Sequence, residues 1–269
     1  MIARPGNMEI PALSWDAVTY DDPDGGKIIF WPHLPCIMMP STMRLRKWDG
    51  LALLYSSDDI AILKKEDELE IQNPGINVQA VLASGSGMGL LLKDIQILDV
   101  DGPKIPDPEP TRLIHHAENS GGRPIYSIIP EINDEKWEEW YINCADNQVK
   151  IIHLLGTLTK SRRYAKNRLR ATSKVQRGKN IDSDLGAASA SCASWWMEDN
   201  RGLTKELIKQ RDGRFASRIR GALADLRNRR VDESSGSEPS LLVPVHQAHL
   251  GLLVDEINNC IEIEEIRGE

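Results

Sequence analysis

The chain has 269 residues, 41% hydrophobic and 27% charged, enough to bury one substantial core and too apolar for a disordered tail. Its net charge of −7 is unevenly spread: positions 160 to 179 hold nine Lys or Arg and no acid, so the remainder carries −16. Four scattered cysteines (Cys36, Cys144, Cys192, Cys260) with no C-x-x-C pair predict reduced, buried thiols and a cytoplasmic protein. Residues 1–20 include Pro5, Glu9, Pro11 and Asp16 and so lack an apolar signal core. The uncharged stretch Ile71 to Leu92 is broken by Asn73, Pro74, Gly75, Asn77 and Gln79, which speaks against a membrane span.

In chain order, near-continuous apolar runs predict strands at Lys27–Trp31, Leu51–Tyr55, Val78–Ala83, Ile125–Ile129, Val149–Leu154 and Leu241–Val245. Runs that do not alternate fit a parallel sheet covered on both faces. Between them, Gly85 to Gly89 (GSGMG) reads as a tight turn; it is neither a Walker A loop nor a dinucleotide fingerprint. Asp99–Pro110, with four prolines, and the polar Asp232–Pro239 read as surface loops. Asp134–Cys144 reads as a helix with Trp137, Trp140 and Tyr141 on one face, and Leu203–Leu226 as a long helix weakened by Gly213 and Gly221. The small-residue run Gly186–Ser194 suits close helix packing. The fold class is therefore α/β, a central and mostly parallel sheet with helices on both faces. Residues 1–24 form an N-terminal extension, and 25–269 form a single domain with a helical insertion at about 156–230 before the last strand.

Two segments near the C-terminus point to chemistry. The Leu203–Leu226 helix carries Arg211, Asp212 and Arg214, and the last strand runs into His246 and His249 ahead of an amphipathic helix starting at Leu250. The C-terminal ends of strands in an open α/β sheet are where ligands collect, so a histidine there is a candidate base or metal ligand. Adjacent positions on a helix point about 100° apart, so a pair between Arg211 and Asp212 does not follow from their adjacency, although Arg211 could hold Asp212 in a charge-assisted pair.

These segments resemble the TraB family and its relatives, the Tiki proteases, the haem-binding ChaN proteins and the erythromycin esterases. The matching residues are Arg211, Asp212, Phe215, Ala216 and Ile219 on the helix, and Val243, Val245, Ala248, His249, Leu250 and Gly251 at the last strand, with His246 where the family has glycine. Ala117–Ile129 (AENSGGRPIYSII) is similar to the family's entry into a central strand. His33, in WPHLPC, stands at the family's first-strand histidine without its glycine; Ser56, Ser57, Asp58 and Asp59 stand where a glutamate ends the second strand.

The resemblance implies a sheet-rim site in which His33 and His249 serve as ligands for a divalent metal or as bases. Asp212 and Arg211 would support them, and His246, Asp58 and Asp59 would line the substrate side. The expected activity is metal-assisted hydrolysis of a small-molecule or peptide substrate. The alternative is a non-catalytic binding or scaffold protein with a degenerate site. His115 and His116 read as surface residues and His153 as a core histidine. The basic run Lys160–Lys179 offers a third reading: as a helix over Ser161–Arg177 it aligns Arg162, Lys166 and Arg170, with Tyr164 available for stacking, and could meet nucleic acid. Pairing with the acidic remainder of this chain, or of a second copy in a homodimer, is the competing explanation.

Overall fold

The computed structural model of the protein describes residues 9–149, 159–178, 181–231 and 238–268. Five strands, β1 (Val18–Asp21), β2 (Lys27–His33), β3 (Gly50–Leu53), β4 (Ile125–Ser127) and β5 (Ser240–His246), make one sheet in the order β1-β2-β5-β3-β4. Every neighbouring pair is parallel except β1, which runs antiparallel to β2 at the edge. The described helices are α1 (Ser57–Gln72), α2 (Ile76–Ala83), α3 (Gly87–Ile95), α4 (Pro108–Asn119), α5 (Glu135–Gln148), α6 (Lys160–Ala171), α7 (Ser183–Asp199), α8 (Lys205–Val231) and α9 (Leu250–Asn259). Helices α6 to α8 precede β5.

Strand residues alternate between faces, and here both faces are apolar. Ile28, Phe30, Ala52, Leu241 and Val243 pack with Phe215, Ile219 and Leu223 of α8 and Leu253 of α9. On the other face Trp31, Leu51, Leu53 and Leu242 pack with Leu91 of α3, Leu113 of α4 and Leu185 of α7. Burial on both sides is why the strands read as unbroken apolar runs. The small residues of α7 do pack closely, with Ala188, Ser189 and Ala190 buried and α3 and α6 as neighbours.

Several elements depart from the sequence reading. Val78–Ala83 is helix α2, not a strand: Val78, Val81 and Leu82, spaced i, i+3, i+4, turn toward the core, and Gly75 at φ +86° starts the helix. The proline loop is shorter than expected, because Pro108 opens α4 and Pro108, Glu109 and Pro110 are buried in its first turn. Residues 18–21, inside the expected extension, supply β1. The basic run is helical only to Ala171, passes through a 3₁₀ turn at Thr172–Lys174, and is extended at Val175. Val149 caps the end of α5. The rest of the expected Val149–Leu154 strand, His153 and most of the 232–239 loop lie outside the described residues. All four cysteines are free thiols. No helix among the described residues is long and apolar enough to cross a membrane.

The length of α8 is possible because its buried stripe (Asp212, Phe215, Ala216, Ile219, Leu223, Leu226) runs unbroken at helical spacing. Gly221 on that helix has a packing reason: a Cβ there would sit 1.8 Å from the backbone oxygen of Glu264, where the C-terminal segment crosses the helix.

Candidate metal centre at the sheet rim

Strands β2 and β5 stay paired along their whole length, which sets His33 opposite His246 at their shared C-terminal rim. Neither strand is flanked there. The β1 ladder ends at Val18↔Phe30 and the β3 ladder at Leu51↔Leu242. Pro32 and Pro244 fall in this unflanked stretch, where a strand tolerates the missing N–H. The two imidazoles meet edge to face with centroids 5.0 Å apart. Trp195 of α7 also meets His246 edge to face, 5.6 Å between centroids.

The third group is Asp107, the N-cap residue of α4. Its Oδ2 lies 3.8 Å from His33 Nδ1 and 3.5 Å from His246 Nε2. One donor atom from each residue falls within 4.8 Å of the others. These separations are long for hydrogen bonds. His33 Nδ1 and Asp107 Oδ1 are both buried with no hydrogen-bond partner. Leaving a buried polar atom unpaired costs about 1–3 kcal/mol, so two on neighbouring side chains is an arrangement that a ligand would relieve. A tetrahedral ion with bonds of about 2.0–2.1 Å holds its donors roughly 3.3 Å apart, a few tenths of an ångström closer than Asp107 and the histidines now stand. In donor type and in the spacing of Asp107 to each histidine, the residues present fit a small divalent cation.

Protonation favours the same use. Burial pushes the His33 imidazole down to about 4, although the Asp107 carboxylate opposes the shift, so the ring is neutral near pH 7 with a lone pair to offer. Cys36 and Cys192, which feel the charge of Asp107, are pushed well up, first by burial and then by that carboxylate, and stay protonated thiols. His246 is 28% exposed by its side chain, so the cluster is open on one side. Clefts of about 360 and 410 Å³ lie beside Trp15 and beside His115, and neither is lined by His33, Asp107 or His246.

His249 belongs to a second, adjoining cluster. It closes the turn after β5, its N–H donating to the His246 carbonyl at 2.8 Å, and it stands at the N-cap of α9. Its Nε2 lies 2.9 Å from Asp212 Oδ1, and Arg211 Nε donates to the same oxygen at 2.8 Å. Arg211 also reaches Asn200 Oδ1 at 2.6 Å. Burial disfavours the Asp212 charge, but His249 and Arg211 outweigh it and hold the carboxyl below its usual range; burial likewise lowers His249. An ionised Asp212 accepts only, so Nε2 of a neutral His249 carries the proton and Nδ1 is the ring's acceptor. It follows that Arg211 Nη2, 3.4 Å from Nε2, is a neighbour of that nitrogen and not its hydrogen-bond partner.

The residues expected at the site are thus divided. His33 is joined by His246 and Asp107, whereas His249 is engaged by Asp212 and Arg211. Arg211 and Asp212 do pair directly, because the long guanidinium arm is drawn back between Asp212 and Asn200. Asp58 and Asp59 are exposed in the first turn of α1, where Asp59 completes a capping box with Ser56. His115 is exposed against Asp67, as expected of a surface residue. Sequence reasoning passed over Asp107. Its signal was present as Asp-Pro, a helix-capping acid before proline at the first helical position. No family model, curated protein or solved structure matches the chain.

Proposed function

We propose that the protein is a metal-dependent hydrolase whose divalent ion is held by His33, His246 and Asp107. The observation that carries this reading is the convergence of three ligand side chains, two imidazoles and a carboxylate, two of which carry a buried atom without a hydrogen-bond partner. Two imidazoles and a carboxylate form a donor set taken by zinc and also by iron(II). Three protein ligands with an open side match the pattern of catalytic rather than structural zinc sites. A bound ion would lower the pKa of a water in that open position and so supply a nucleophile near neutral pH. His249, neutral and oriented by Asp212, is the candidate proton acceptor, and Arg211 the candidate partner for developing negative charge. This assignment departs from what the TraB resemblance implies, since His246, where that family has glycine, takes the place expected of His249. A site at an open rim suits an extended substrate such as a peptide better than a small molecule enclosed in a pocket.

Calorimetric titration of the purified chain with zinc, manganese and iron(II) tests the proposal, followed by assays of each loaded form on an activated ester and on an unstructured peptide. One ion should bind at a single site, and H33A, H246A and D107N should each weaken it by more than about 100-fold while remaining folded. Hydrolysis should follow the bound ion and fall in H249A. A folded protein that binds none of the three ions overturns the reading; binding without hydrolysis of either substrate moves it to the non-catalytic alternative.

A further inference from the structure

The basic run on α6 is not used by the metal centre, and its side chains divide into two sets. Two arginines are neutralised within the fold: Arg163 pairs with Glu198 of α7 at 2.6 Å, and Arg168 with Asp94 of α3 at 2.7 Å. Tyr164 is buried and its hydroxyl donates to Asp94, so it offers no ring for stacking. Arg162, Lys166 and Arg170 face outward and are exposed, and exposed Lys174 and Arg177 continue the series beyond the helix. None of these five forms an ion pair with an acid among the described residues.

We propose that this outward face of α6 binds the phosphate backbone of nucleic acid, independently of base sequence. Steps of four residues place Arg162, Lys166 and Arg170 about 6 Å apart along the helix. A nucleic-acid strand presents a phosphate every 3.4 Å or so of rise, so each cation can take a separate one. The rest of the face argues against other partners. Leu169, 77% exposed, is its one large apolar side chain among Ser161, Thr172, Ser173 and Gln176. A protein interface needs a fully buried core largely free of charge, and a helix lying in a membrane surface needs a broad apolar face; one leucine supplies neither. With Tyr164 buried, no aromatic ring on this helix face reads bases, which leaves phosphates as the target. The −16 carried by the remainder of the chain repels a polyanion elsewhere, so contact is confined to this face.

The test is fluorescence anisotropy with a labelled mixed-sequence DNA, single-stranded and duplex, between about 50 and 200 mM salt. Five contacts predict a plot of log affinity against log salt with a slope of about −4, similar for unrelated sequences. The triple variant R162Q/K166Q/R170Q should bind at least about tenfold more weakly at the low-salt end and flatten the slope by between 2 and 3 or so, with unchanged circular dichroism and melting temperature. H33A should bind DNA as the parent chain does, which separates this surface from the metal reading. No binding at the lowest salt overturns the proposal, as does an unchanged slope in the triple variant. So does capture by phosphatidylserine vesicles, or dimerisation in sedimentation, that depends on these three residues while DNA does not bind.

Discussion

The two ends of β2 handle buried charge in opposite ways. Just before the strand, Asp22 is buried and filled with donors: Arg220 Nε at 2.8 Å, Arg227 Nη1 at 3.3 Å and the Asp24 N–H at 3.0 Å. Arg220 is itself buried, and its remaining donors reach Asp24 and the Cys260 and Ile261 carbonyls. Burial works against the Asp22 charge, yet these partners hold its carboxyl below the usual range. At the far end of the same strand His33 is buried and Asp107 partly so, and each has a buried polar atom without a hydrogen-bond partner. A network that satisfies itself holds the fold together; in the proposed reading, the one left with unpartnered ligand atoms takes its remaining partner from outside the chain. That contrast, rather than burial or charge alone, separates a structural cluster from a candidate site.

The contrast can be broken most strongly at the satisfied end. D22A leaves Arg220 buried without its main partner and should cost about 3–5 kcal/mol, a fall in melting temperature on the order of 10 °C by calorimetry. The open end should respond instead to its ligand: zinc at about 100 times its dissociation constant should raise stability by roughly 2.7 kcal/mol. D107N should abolish that rise while changing the metal-free protein by less than about 1 kcal/mol, because Asp107 Oδ1 accepts no hydrogen bond to lose. G221A forces the C-terminal segment off α8 at Glu264 and should cost about 1–3 kcal/mol in denaturant unfolding.

The smallest effect concerns acid. Hydrogen bonds from Arg214 hold Asp134 down to about 2, below the ordinary aspartate value of about 3.9. Burial opposes the Glu264 charge in the same network, but Arg214 and Arg218 outweigh it and keep this carboxyl low as well. A folded-state pKa below the unfolded one stabilises above the unfolded value and is lost as pH falls. This contribution should therefore be complete above about pH 4 and fade toward pH 2, and D134N should flatten that limb of the stability curve.

Much of the fold was legible because its signals are local. Continuous apolar runs marked β2, β3, β4 and β5, and the acid-led Trp137 face marked α5. Where two periodicities fit one short run, as at Val78–Ala83, only packing chose between helix and strand. The site was legible in part. His33, His246 and His249 stand out as histidines after apolar strands, and Arg211 and Asp212 were named beside them. Which histidine joins which acid was not legible, since it depends on the β2–β5 register and on the path of the loop carrying Asp107.

By itself, then, the sequence determined the layered α/β class, the strands buried on both faces, the histidines placed at strand ends and the split between a +9 segment and a −16 body. Composition and periodicity suffice for these because they are properties of contiguous residues. The tertiary structure decided that β5 inserts between β2 and β3, that His33 therefore faces His246, and that Asp107 closes the cluster from α4. It also decided which arginines of α6 are neutralised by Glu198 and Asp94 and which face outward. Those outcomes rest on contacts between residues far apart in the chain, whose distance and orientation no local pattern encodes.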